Sequence, residues 1–120
     1  WVQMYGPDGR LLPRLQNCMA EVEHRGLPIY RYPQNNQHAC GTEALSETVA
    51  QLCEAVASKF TGQELNHCVG NLYRNEREFI GPHKDKMLDI LEGSLIFTLS
   101  LGAQRPMVLE SSGLQQVVPL

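Results

Sequence analysis

The sequence has no long apolar run and no leader in which basic residues precede apolar ones. A membrane-spanning helix needs ~20 consecutive apolar residues, and a secretory signal needs a charged start before its apolar stretch. We therefore expect no membrane attachment and no secretory route. The chain starts at Trp1 and stops at Leu120 inside a strand-like stretch, so we also expect it to be a piece of a longer protein.

Paired cysteines are also missing, and the four that occur show no regular spacing. They are Cys18, Cys40, Cys53 and Cys68. Structural zinc sites and the disulfide frameworks of small secreted domains need cysteines at short, repeated spacings. We expect reduced thiols in an intracellular protein, and the sequence does not choose between nucleus and cytoplasm.

The chain has no excess of positive charge, because 10 basic residues against 13 acidic ones give a net charge of −3. Proteins that bind nucleic acid through a broad electrostatic surface are usually basic. Within 74–86, however, basic residues outnumber acidic ones through Arg74, Arg77, Lys84 and Lys86. This stretch has two interpretations: a solvated turn of mixed charge, or a rim that contacts phosphates.

A length of 120 residues and a hydrophobic content of 42% predict a single globular domain over 1–120. Apolar residues at three- and four-residue steps predict a helix over 43–60, with Thr42 as its N-cap and Gly62 at its end. Turn-forming residues at 6–9 predict a hairpin or a loop. Flanking prolines predict a short edge strand at 27–33.

After the helix the hydrophobic period changes to two. This change predicts strands at 66–75 and 93–102, and a hairpin of 105–112 with 114–119 that turns at 111–113. One helix followed by antiparallel strands with a polar sheet face is typical of an α+β fold. A small β-sandwich or jelly roll that encloses a cavity fits this pattern.

Two pairs of polar residues carry the chemistry that the sequence predicts. In a strand, residues two apart point to the same face with Cα atoms roughly 6.5 Å apart, so Asn71 and Tyr73 face one space. His83 and Asp85 share the same spacing after a Gly-Pro turn. One imidazole and one carboxylate make two-thirds of the facial triad that binds non-haem iron(II). Taken alone, however, this spacing is more often a surface ion pair.

The residues of 61–109 closely resemble the core of the AlkB-like 2-oxoglutarate and iron(II)-dependent dioxygenases. The points that match the family pattern at the right distances are Thr61, Gly62, Asn66, Asn71, Tyr73, Gly81, His83, Asp85, Ser100, Gly102 and Arg105. The upstream segments 12–14 and 30–33 also look like that family's approach to the core. The resemblance implies a double-stranded β-helix, or jelly roll, with the helix as its scaffold and its C-terminal part missing.

The resemblance also implies two cofactors and the residues that bind them. His83 and Asp85 would bind iron(II), and Asn71 and Tyr73 would hydrogen-bond the carboxylates of the co-substrate 2-oxoglutarate. The enzyme would then hydroxylate a C–H bond. In repair members this reaction removes alkyl groups from nucleic-acid bases, so the implied partner is alkylated DNA or RNA, single- or double-stranded.

The chain departs from the family pattern after the iron-binding motif. The third ligand of the family is a later histidine followed by arginines that pair with 2-oxoglutarate, yet no histidine follows His83, and Arg105 comes too early. We expect these groups beyond Leu120 and therefore little turnover by the 120 residues alone.

The residues expected around the substrate leave its class open. Repair members commonly have an acidic residue two positions after the iron-ligand aspartate, where this chain has Met87, which we interpret as a wall of the cavity. Tyr30 and Tyr32 match an aromatic region at the substrate entrance, where a flipped base can stack, although ordinary packing of an edge strand also explains them. Two alternatives remain: an inactive binding module, and a related oxygenase that acts on protein or small molecules. The oligomeric state is not indicated.

Overall fold

A computed structural model describes residues 1–6, 8–22, 41–85, 87 and 90–120. The described elements are six strands, one α-helix and a π-helical turn. In chain order they are β1 (Val2–Tyr5), β2 (Leu11–Ala20), β3 (Thr42–Ala44), α1 (Glu47–Val56), the π-helical turn (Ala57–Thr61), β4 (His67–Leu72), β5 (Pro106–Ser111) and β6 (Leu114–Pro119). No helix among them is long and apolar enough to cross a membrane.

Strand β2 is the centre of a four-stranded sheet. It pairs antiparallel with β1 and with β4, and parallel with β3. Residues 15–20 of β2 pair with β4, and this range overlaps the residues that pair with β1 and with β3. Strands β1 and β3 therefore lie one after the other along the opposite edge of β2. The predicted turn at 6–9 is confirmed: the Gly6 amide donates to the Arg10 carbonyl at 2.8 Å, and Gly9 takes a positive φ of 76°.

One face of β2 is buried from Arg14 to Ala20. Its apolar part is small and contains Met4, Cys18 and Ala20, with Leu12 and Val69 packed beside them. Between Leu12 and Cys18 the same face carries Arg14 and Gln16, which are also buried. Buried polar and apolar side chains thus share a single face of the sheet.

Helix α1 begins four residues later than the sequence predicted. Its N-cap is Ser46, whose hydroxyl accepts a hydrogen bond from the Val49 amide at 3.3 Å. The prediction of Thr42 as N-cap was wrong, because 42–44 pair with the end of β2 as strand β3. The predicted end at Gly62 is confirmed, since this glycine takes a left-handed φ of 65° and its amide donates to the Ala57 carbonyl.

The C-terminal hairpin was predicted correctly. Strands β5 and β6 pair antiparallel, and Ser112 and Gly113 both have positive φ at the turn. At the open end of the hairpin, Arg105 and Leu120 exchange backbone hydrogen bonds of 2.8 and 2.9 Å. This fixes the backbone of Arg105, whose side chain contacts Tyr73 and the turn that follows β4.

The predicted strand at 93–102 does not form. This segment has no ladder pairing with any other described strand, and Leu101 is 84% exposed. Alternating side chains favour a strand only when a neighbour supplies hydrogen bonds and covers the apolar face, and no described element does so here. The predicted edge strand at 27–33 lies outside the described residues.

The described elements make a mixed α/β arrangement of two sheets and one helix, compatible with part of a jelly roll. The double-stranded β-helix and the single domain over 1–120 stay predictions.

Candidate functional site

Asn71 and Tyr73 lie at the end of β4 that faces the polar part of the sheet. Asn71 is paired with Gln16 in the ladder, so its side chain shares a face with Gln16 and with Arg14 two residues earlier. Tyr73 follows directly after β4. The register of two strands thus brings the predicted 2-oxoglutarate residues beside a buried arginine.

Arg14 fixes the orientation of the Asn71 amide. Its Nε donates a hydrogen bond to Asn71 Oδ1 at 3.0 Å. Because an arginine nitrogen can only donate, the amide atom that faces it must be the oxygen. The NH₂ group of Asn71, a double donor, is therefore directed away from Arg14.

Tyr73 is half-buried, and the positive charges of Arg14 and Arg105 both act on its phenol. The guanidinium carbon of Arg105 lies 5.0 Å from the centre of the Tyr73 ring, a cation–π contact. Burial raises the pKa of the Tyr73 phenol above its ordinary value, although the positive charges of Arg14 and Arg105 pull it down. The phenol therefore keeps its proton at neutral pH and can donate a hydrogen bond to a carboxylate.

A tight turn follows Tyr73 and is held by charged side chains. The Glu78 carboxylate is buried and accepts hydrogen bonds from the Arg74 amide at 2.6 Å and Arg74 Nε at 2.7 Å, with a further contact to Arg74 Nη2. These hydrogen bonds hold the pKa of Glu78 below its usual range. The Arg105 side chain donates from Nη1 and Nη2 to the carbonyls of Glu78 and Asn75, each at 2.6 Å. One arginine thus contacts both Tyr73 and the turn behind it.

His83 and Asp85 come together as a pair after this turn. His83 Nε2 lies 3.4 Å from Asp85 Oδ1, and His83 Nδ1 lies 2.8 Å from the Gly81 carbonyl oxygen. A carbonyl only accepts, so Nδ1 carries a proton, and Nε2 is the nitrogen that faces the carboxylate. Holding one ring nitrogen in this way fixes which nitrogen is available as a metal ligand.

The chemistry of the His83–Asp85 pair fits two positions around iron(II). A neutral imidazole would place a lone pair on Nε2 opposite a carboxylate oxygen, an unfavourable contact unless a proton or a metal ion lies between them. Both side chains are about half exposed, at 49% and 48%, so an ion can reach them. No described group of three or more His, Cys, Asp and Glu side chains could hold a metal by itself. The chain as described therefore offers two protein ligands.

The remaining site residues are placed in different ways. Met87 is 54% exposed, just beyond Asp85. Tyr30 and Tyr32 fall outside the residues that the structure describes. Within the described ranges, no hydrogen bond or ion pair joins Asn71 or Tyr73 to the His83–Asp85 pair. The assigned roles of all these residues stay predictions.

The segment 12–14 resembles the family's approach to the core, but the sequence indicated no role for its buried residue Arg14. The sequence of β2 does not alternate between polar and apolar residues, and Pro13 precedes the arginine. The signal that could have found it is the pairing of β2 with β4, which is a tertiary feature. We call Arg14, Asn71, Tyr73 and Arg105 the Asn71 cluster.

Comparison with known families gives a match over the whole chain. The model of the 2OG-Fe(II) oxygenase superfamily matches residues 1–120. No curated protein and no solved structure matches the chain. The superfamily implies iron(II) and 2-oxoglutarate, and it agrees with the coarser part of the resemblance found in the sequence, whereas the AlkB-like branch stays a prediction. The chain belongs to the 2OG-Fe(II) oxygenase superfamily.

Proposed function

We propose that the protein is an AlkB-like, iron(II)- and 2-oxoglutarate-dependent dioxygenase with a jelly-roll core, and that it removes alkyl groups from nucleic-acid bases. The proposal rests on the His83–Asp85 pair. His83 Nε2 lies 3.4 Å from Asp85 Oδ1, and the Gly81 carbonyl contacts the other ring nitrogen of His83. His83 and Asp85 would occupy two ligand positions of iron(II), which leaves other positions for a co-substrate and oxygen.

Two groups of residues have different roles in the proposed reaction: one binds the metal ion and the other binds the co-substrate. When bound, iron(II) and 2-oxoglutarate supply the oxidation of a C–H bond by molecular oxygen. His83 and Asp85 hold the ion through one nitrogen and one carboxylate. The Asn71 amide and the Tyr73 phenol donate hydrogen bonds to 2-oxoglutarate carboxylates. The guanidinium group of Arg105, which lies against the Tyr73 ring, offsets part of the negative charge of that dianion.

Exposed cations close in sequence to the proposed iron ligands support a nucleic-acid substrate. Arg77 has a side chain that is 90% exposed, and Lys84, which lies between the two proposed iron ligands in the sequence, is also exposed. Such residues contact phosphates without reading the base sequence. Met87, two residues after Asp85, is exposed and offers an apolar surface with which a base can make van der Waals contact. We propose alkylated DNA or RNA, single- or double-stranded, as the partner.

The test offers methylated single-stranded DNA and RNA, a methylated duplex, and a panel of methylated peptides and small hydrophobes to the intact protein. Iron(II), 2-oxoglutarate and oxygen are present, and both demethylated product and succinate are measured. We expect demethylation of an oligonucleotide with matching succinate. Succinate formation with no demethylation of any DNA or RNA would contradict the nucleic-acid substrate.

The variant Met87→Glu examines the same proposal at one residue. A carboxylate accepts a hydrogen bond from an exocyclic amine of a flipped base, whereas a thioether accepts only weakly. We expect unchanged iron binding and a shift in which methylated base is preferred. A uniform loss of activity on a non-nucleic substrate would instead show that residue 87 lines a cavity for another class of molecule.

A further inference from the structure

Arg14 is the most deeply buried cationic side chain of the described residues that surround Asn71. Its residue surface is 6% exposed, although it lies near the end of the sheet where Asn71 is open to solvent. Burying a guanidinium is unfavourable unless hydrogen bonds and negative charge compensate it. Its environment therefore needs a partner of opposite charge.

The described residues do not provide that negative charge. No carboxylate among them lies within ion-pair distance of Arg14, whereas Arg10 on the same hairpin pairs with Asp8. The hydrogen bond that is present goes to the neutral oxygen of Asn71. The second positive side chain of the cluster, Arg105, also donates to neutral carbonyls. The Asn71 cluster is therefore a group of donors and positive charge that lacks an anion within the described part of the chain.

The hydrogen bond from Arg14 also decides what Asn71 can offer a ligand. With Oδ1 held by Nε, the amide cannot rotate to present its oxygen to the open side without losing this contact. Asn71 is left with its NH₂ group, which donates to carboxylates and not to cations. A neighbouring phenol donor at Tyr73 completes a set of groups that match a carboxylate.

We propose that Arg14 is a positioning residue for 2-oxoglutarate, which holds the Asn71 amide so that its NH₂ group donates to a carboxylate of the co-substrate and which contributes positive charge beside it. This inference rests on the proposed function. It adds a residue of strand β2, far from the iron-binding motif in sequence, to the co-substrate site.

The test is a double-mutant cycle of Arg14 and Asn71. Dissociation constants of 2-oxoglutarate are measured by anaerobic calorimetry, with and without iron(II), for the parent protein, Arg14→Met, Asn71→Ala and the double variant. Removing a charged hydrogen bond should weaken 2-oxoglutarate binding by about tenfold. Because Arg14 acts in part through Asn71, its replacement should have a smaller effect once Asn71 is already alanine. In turnover, we expect a higher KM for 2-oxoglutarate and a nearly unchanged kcat.

The matched control is Arg10→Met, an arginine on the same hairpin whose side chain is 89% exposed. It should leave 2-oxoglutarate affinity unchanged. Circular dichroism and thermal melting report whether each variant folds. If Arg14→Met fails to fold, Arg14→Lys replaces it in the cycle, because lysine keeps the charge and the stem and removes the Nε donor.

The outcomes separate this inference from the function on which it rests. If the parent protein does not bind 2-oxoglutarate, the proposed function is wrong. If the parent binds it and folded Arg14 variants bind equally well, or lose the same factor with and without Asn71, the positioning role is wrong and the proposed function stands.

Discussion

The Asn71 cluster and the His83–Asp85 pair are held in place by different means. Asn71 belongs to a strand paired over six residues with β2, and its side chain is fixed by a buried arginine. His83 and Asp85 lie outside any strand, half-exposed, and the described contact that fixes the imidazole is the local one to Gly81. The first group is set by long-range pairing and the second by a local turn.

The two groups therefore differ in how much conformational freedom they lose when a ligand binds. A hydrogen-bonded ladder preorganises its side chains, so little conformational entropy is lost when the co-substrate binds. A half-exposed pair on an irregular segment keeps more freedom until an ion bridges it. We therefore expect 2-oxoglutarate to bind to side chains that are already in position. We expect iron(II), in contrast, to order the segment that contains His83 when it binds.

The largest expected effect comes from removing either member of the His83–Asp85 pair. His83→Ala and Asp85→Ala should each abolish turnover, including consumption of 2-oxoglutarate without substrate, because the set of protein ligands left without either one cannot hold the ion in place. Succinate formation measures this. Asp8→Ala, an exposed aspartate in the first hairpin, is the control and should keep full activity. Full activity of His83→Ala would refute the metal assignment.

How far the sequence predicted the structure depends on whether a feature is local. The turns at 6–9 and 111–113 and the end of the helix at Gly62 follow from residues that adopt unusual backbone angles, and all were predicted. The predicted start of the helix was wrong because residues 42–44 pair with β2, a strand that is distant in sequence. The prediction of a strand at 93–102 was wrong because a periodic pattern of side chains does not supply a neighbouring strand with which to pair.

The same distinction holds in the site. The spacing of His83 and Asp85 is local, and the sequence predicted that they meet. The contact of Arg14 with Asn71 spans 57 residues and depends on the register of two strands. The contact of Arg105 with the turn spans 27 and 30 residues, so no local spacing indicates it.

The second expected effect is on both stability and co-substrate binding. Arg105→Met should lower the free energy of unfolding by about 2 kcal/mol, because hydrogen bonds from a charged donor to two carbonyls are lost. It should also raise the KM for 2-oxoglutarate, since the Tyr73 ring loses its cation contact. Urea unfolding and steady-state kinetics measure the two effects. Arg77→Met, whose side chain is 90% exposed, should change neither; equal behaviour of both variants would remove Arg105 from the cluster.

A smaller effect is expected from a single hydroxyl. Tyr73→Phe removes one hydrogen bond, which is typically worth about 0.5–1.5 kcal/mol, and should raise the KM for 2-oxoglutarate by roughly two- to tenfold with kcat preserved. Tyr5→Phe in the first hairpin is the control. An unchanged KM in Tyr73→Phe would show that the phenol does not contact the co-substrate.

The smallest expected effect is on acid stability. The pKa of Glu78 is lowered in the folded protein by hydrogen bonds from Arg74, so its contribution to stability is present at neutral pH and is lost as the pH falls through that lowered value. Glu78→Gln should melt at a lower temperature than the parent at pH 7, and the difference should shrink on acidification. Thermal melting across that range measures it. Glu76→Gln, an exposed neighbour, should follow the parent; a gap between Glu78→Gln and the parent that persists at low pH would contradict the assignment.

The most direct test of the account is whether the Asn71 cluster and the His83–Asp85 pair form one site. Anaerobic calorimetry of 2-oxoglutarate with the intact protein, with and without iron(II), measures the coupling between the two ligands. A shared site predicts that iron(II) tightens 2-oxoglutarate binding, that 2-oxoglutarate tightens iron(II) binding by the same factor, and that Asp85→Ala removes this coupling. Independent binding of the two ligands, or coupling that survives in Asp85→Ala, would contradict the account.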